Sequence, residues 1–149
     1  MVVIPNLILL QAFNKSLVRG NVFRTKNLTG LASDLFKRIV LLNKDFNDPQ
    51  IYYCLTTSKT DWFIDYWFCD EVSKNCIFCL KGETSNNPIG DMIIDLRKVF
   101  EIDKEILFDN FKNKILHFLN PFLIDIMSQV DSIIKDSKLI APKYIKKII

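Results

Sequence analysis

Four cysteines are the first residues in this chain whose chemistry could matter: Cys54, Cys69, Cys76 and Cys79. Cys76-Ile-Phe-Cys79 has the two-residue gap of a zinc half-site, and thiolate ligands at that spacing suit a tetrahedral ion. A zinc knuckle needs a tight turn between its thiolates, whereas Ile77 and Phe78 favour extended backbone, which sends Cys76 and Cys79 to opposite faces. With no second C-x-x-C to complete a site, reduced cysteines packed in a sheet are the better account. The chain is expected to use no metal and no cofactor.

General acid–base and nucleophilic chemistry fare no better. His117 is the sole histidine, flanked by Leu116 and Phe118, with no nucleophile motif beside it. Carboxylate pairs such as Asp61 with Asp65, Asp70 with Glu71 and Asp91 with Asp95 lack the basic companion that a metal-dependent nuclease places beside them; Glu71-Val-Ser-Lys74 only loosely matches. The chain contains no phosphate-binding glycine loop, zinc-protease motif or nucleophile elbow. No catalytic residue is assigned, and the expectation is a binding protein rather than an enzyme.

Charge is sorted along the chain. Residues 1–44 hold seven basic side chains against one acidic, residues 45–134 hold eight against fifteen, and the last fifteen hold five lysines against Asp136. A net charge of +3 thus conceals a basic N-terminal block, an acidic middle and a basic tail. If the blocks stay apart they form surfaces of opposite sign that steer partners; if they pack together they form internal ion pairs.

Two binding surfaces follow. In the acidic block, Trp67 stands among Asp61, Asp65, Asp70 and Glu71, a mixture suited to an interface anchor with a charged rim. This surface would serve a protein partner, itself basic, and makes the chain an inhibitor or immunity-type module. The alternative is nucleic acid held by Arg19, Arg24, Lys26, Lys37 and Arg38, with the lysine-rich tail assisting. The aromatics between Tyr52 and Trp67 lie in the acidic block, which repels phosphate, so core packing is their expected role.

These residues need elements to position them. At 149 residues, 49% hydrophobic and with four glycines, the chain has the profile of one packed domain. Leu7, Leu10 and Leu17 keep helical spacing after Pro5, and Leu31, Leu35, Ile39 and Leu42 repeat at three and four residues, which predicts a second helix. Residues 51–58, 62–69 and 76–81, rich in β-branched and aromatic side chains, predict strands. Further helices are predicted over 93–100, from Asp103 to Phe118, and from Phe122 to Ile133, with 143–149 a final turn or a mobile end.

The expected fold is therefore α+β, a single domain spanning 1–149. A three-stranded antiparallel meander over about residues 51–81 would pack against N-terminal helices and a C-terminal helical segment. Its parts are a basic helical stretch (1–44), the sheet (45–82) and a helical stretch with the lysine-rich tail (91–149). No apolar run reaches the length of a membrane span and no leader pattern opens the chain, so the expected place is cytoplasmic, with no membrane partner. Phe122, Leu123, Ile126 and Met127 make an apolar stripe wide enough to suggest a homo-oligomer face.

Overall fold

The structure is a computed structural model that describes residues 4–28, 35–57, 71–80, 92–119, 121–122 and 124–149. Along the chain it runs α1 (Asn6–Ser16), β1 (Val22–Thr25), β2 (Lys37–Leu41), β3 (Gln50–Thr57), the single turn α2 (Glu71–Lys74) and β4 (Ile77–Leu80). There follow β5 (Met92–Asp103), α3 (Lys104–Lys112), β6 (Leu116–Phe118), α4 (Ile124–Asp136) and α5 (Pro142–Ile148). The six strands form one sheet in the order β4-β5-β3-β2-β1-β6, and every neighbouring pair is antiparallel. The α+β class holds; the arrangement inside it differs from the expected meander.

Side chains alternate across a strand, so each strand feeds two faces. Val22, Val40, Leu42, Tyr52, Cys54 and Ile94 pack on one face beneath Ile126, Met127, Val130 and Ile134 of α4 and Ile148 of α5. Phe23, Ile39, Leu41, Ile51, Tyr53 and Ile102 pack on the other with Phe13 of α1 and Leu107 of α3. Helices thus cover both faces of the central strands, which explains the nearly unbroken apolar run Ile39-Val-Leu-Leu42.

That double covering accounts for the first correction. The helix predicted over Leu31–Leu42 ends as β2: among its described residues, 35 and 36 are not helical and Lys37–Leu41 pair with both β1 and β3. An apolar run buried on both sides satisfies helical spacing by accident, and its β-branched Ile39 and Val40 fit the strand. The helix predicted over 93–100 is likewise β5, whose Ile94 and Leu96 serve one core and, past an irregularity in its pairing with β3, Ile102 the other.

The meander needs the same correction. β3 and β4 are strands where predicted, but β5 lies between them and bonds to both; the predicted strand over 62–69 lies outside the described residues. The helix from Asp103 stops at Lys112, with Asn113 at its C-cap and Lys114 left-handed at φ 62°, and the chain then turns into β6. His117 therefore sits on a strand rather than a helix, and neither 1–44 nor 91–149 is wholly helical. The predicted α1 and the helix from Phe122 are present, and the end of the chain forms α5.

α4 also removes the proposed oligomer stripe. Phe122, Ile126 and Met127 are buried in the chain's own core, at 8%, 4% and 7% exposure. Met127 presses against Gly20, whose φ of 90° only glycine adopts freely. Leu123 lies outside the described residues.

Candidate functional site

Arg24 and Arg38 face one another across β1 and β2, and the same row continues to His117 on β6 and Thr56 on β3. Opposite residues in an antiparallel pair have Cβ atoms about 5 Å apart, where like charges repel. The row points to the same face as Val22, Val40 and Cys54. Its arginines are half-buried and His117 is exposed.

No carboxylate among the described residues forms an ion pair with Arg24, Lys26, Lys37 or Arg38. Arg38 Nε and Thr56 Oγ1 are both sealed from water without a hydrogen-bond partner. Buried polar groups are nearly always partnered, so two orphans on neighbouring strands, beside two like charges, set this row apart from the rest of the sheet. An oxyanion brought against the guanidiniums would offset their repulsion and supply an acceptor.

Phe36, immediately before β2, completes the cluster. The Arg24 guanidinium lies 4.0 Å from its ring centroid, Lys26 Nζ 5.3 Å away and the His117 ring 6.1 Å away. Thr25, one residue on from Arg24, points to the opposite face, where Asn110 of α3 donates to its hydroxyl at 3.3 Å and to the Lys26 carbonyl at 3.0 Å. This buried amide fixes the end of β1 and so the position from which Arg24 and Lys26 reach out.

Of the five cations expected to form a nucleic-acid surface, Arg24, Lys26 and Arg38 come together. Lys37 shares their strand edge but pairs with Thr25 and so faces the other way. Arg19 is elsewhere and occupied: its Nη2 lies 2.5 Å from Asp131 Oδ1 on α4, a charge contact, and its Nε donates to the Leu42 carbonyl at 3.0 Å. Of the protein-binding set, Asp61, Asp65, Trp67 and Asp70 lie outside the described residues, and Glu71 opens the backbone turn α2.

Phe36, Thr56 and His117 were missed as members of a site. The available signal was strand register: with 37–41 read as strand, Arg38 falls on the same face as Val40 and opposite an equally basic neighbour.

The three described cysteines do not gather as a metal site. Cys54 is buried in the core, where burial pushes its thiol well above the usual range. Cys76 is buried, with its sulfur 3.5 Å from Ser137 Oγ, and Cys79 is exposed; Cys69 lies outside the described residues. Among the described residues no three His, Cys, Asp or Glu side chains gather as a metal site would require, and no helix is long and apolar enough to cross a membrane. No protein-family model matches the chain, and no curated protein matches it.

Proposed function

We infer that this chain is a nucleic-acid-binding protein that grips the phosphate backbone with Arg24, Arg38 and Lys26, where β1 ends and β2 begins. The observation that carries the reading is the row His117, Arg24, Arg38, Thr56, with two arginines opposed and two buried polar atoms unpartnered. Phosphate oxygens match a guanidinium pair in both charge and geometry. A folded surface that keeps uncompensated cations side by side carries a standing repulsion, which a polyanion removes.

Fluorescence anisotropy with labelled RNA and DNA strands tests this. Replacing Arg38 by Gln removes a charge-assisted contact and should weaken binding about tenfold or more. Arg24→Gln should act in the same direction, while Arg19→Gln, which alters a residue held by Asp131, should leave affinity unchanged. Unaltered binding in Arg38→Gln and Arg24→Gln, or no binding by the parent protein, would overturn the reading. The same samples run on a denaturing gel separate binding from chemistry. Intact strands support a binding role, and shortened strands would show the row to act on the phosphodiester and overturn the non-catalytic part.

A second reading keeps the acidic segment as a docking surface for a basic protein, in the manner of an inhibitor or immunity-type protein. Its support is the excess of fifteen acidic over eight basic residues between 45 and 134, with Trp67 among Asp61, Asp65, Asp70 and Glu71. Charge reversal at Asp65, Asp70 and Glu71 should slow association with a co-purifying basic partner. An unchanged association rate would remove this reading.

A further inference from the structure

Phe36, at the β1–β2–β6 end of the sheet, belongs to neither core. It is half-buried, and the ring and charge contacts around it are with polar groups: the Arg24 guanidinium, the Lys26 ammonium and the His117 imidazole. Phe23, one strand away, is fully packed in the core against Phe118. A cation over a phenyl face returns less than full burial of the ring would, so packing alone does not account for an aromatic side chain at this position.

A ring among cations has a second use. Cations hold the phosphates of any nucleic acid, but an aromatic face beside them finds a partner only in a base that has left its own stack. In a duplex the base faces are covered by neighbouring bases and only the edges are presented. In a single strand the faces are free, and every base has one, so stacking tolerates sequence. The guanidinium of Arg24 is planar as well, and lying 4.0 Å from the Phe36 centroid it fixes the ring beside the phosphate-binding row.

Resting on the reading of that row as a phosphate site, we propose that Phe36, with Arg24 against it, is a base-stacking platform that directs the site to single-stranded nucleic acid. The strand's phosphates lie along Arg24 and Arg38 while one base stacks on Phe36. Strandedness is then set by one residue and overall affinity by the row.

Three probes of equal length test the proposal by anisotropy: a single-stranded RNA, the same strand carrying abasic sites, and the corresponding RNA duplex. The parent protein should bind the complete single strand about tenfold more tightly than the abasic strand. Phe36→Ala should weaken the complete strand several-fold more than the abasic strand or the duplex, so that the preference for the complete strand disappears. Phe36→Leu, which keeps apolar volume without an aromatic face, should behave as Phe36→Ala, and Phe36→Trp should restore the preference. A 2-aminopurine in the strand should lose fluorescence on binding to the parent and to Phe36→Trp, but not to Phe36→Leu.

Equal weakening of all three probes by Phe36→Leu would show that the ring only anchors Arg24, and no change in any would show that it takes no part; either overturns the proposal. Failure of the underlying phosphate reading looks different. Arg38→Gln would then bind all three probes as the parent does, whatever Phe36 variants do.

Discussion

Asn43, fully buried between β2 and β3, makes three side-chain hydrogen bonds. Its amide donates to the carbonyls of Gln50 at 2.9 Å and Asp45 at 3.3 Å, and its oxygen accepts the Tyr52 N–H at 2.7 Å. The amide thus does the work of a backbone ladder where the chain leaves β2, turns through residues 44–49 and returns as β3. Asn43→Ala strips partners from the buried Tyr52 N–H and from two part-buried carbonyls, and it should cost about 1–3 kcal/mol, read as a lower urea midpoint. Nothing in the local sequence singled out this asparagine, because its role depends on β3 returning beside it. Arg24, Lys26 and Arg38 stand out in the sequence by contrast, since seven basic residues against Asp34 alone in residues 1–44 are visible in composition. Arg19 was not separable from them, because its partner Asp131 is 112 positions away in sequence. Tyr53 shows the converse cost: its hydroxyl is buried without a partner, and burial pushes the phenol up to about 12.

Elements were legible where their spacing was one-sided and illegible where it was not. α4 buries Ile126, Val130 and Ile134 and leaves Asp125 and Gln129 outside, so its period shows in the sequence. β2 is apolar on both faces and β5 interleaves acids with aliphatics, and neither carries a pattern that excludes a helix. The chain's end was left undecided between a turn and mobility because its anchors are tertiary. α5 buries Ile148 completely, sets Tyr144 edge-on to Tyr52, and is tied to the 44–48 turn by Lys44 N–H to the Lys147 carbonyl at 3.1 Å. Lys147 Nζ also donates to Asp48 at 2.9 Å. The Gln50 backbone N–H and the Lys147 ammonium hold the Asp48 carboxyl below its ordinary value. A carboxylate whose folded pKa is depressed adds stability above its unfolded pKa and loses it as pH falls through the folded value. The parent protein should therefore be more stable than Asp48→Asn at neutral pH, and the gap between them should close below about pH 4. Thermal unfolding of both proteins across that range checks it; a gap independent of pH would show that Asp48 acts through shape and not charge.

Taken whole, the molecule resolves the ambiguity that charge sorting leaves in the sequence. Both outcomes occur, at different places. Arg19 of the basic block meets Asp131 of the acidic block, and Lys147 of the tail meets Asp48, so the three blocks are joined by ion pairs. The β1–β2 row keeps Arg24, Lys26 and Arg38 out of any such pair among the described residues. Among the described residues, the cations that join the blocks and the cations of the β1–β2 row are thus separate sets. They should respond to salt separately. Three phosphate contacts on a single strand give a slope of about −2 in log affinity against log salt, so a fourfold rise in salt should weaken RNA binding about 20-fold. Each of Arg24→Gln and Arg38→Gln should reduce the slope by about 0.7. Over the same range the unfolding midpoint should move little, because two ion pairs at the surface contribute at most about 1 kcal/mol each. Arg19→Gln reverses the pattern, lowering the midpoint and leaving the slope alone. A slope that Arg38→Gln does not change would mean that the phosphates lie on another surface, and the lysines of α5 would then be the next cations to remove.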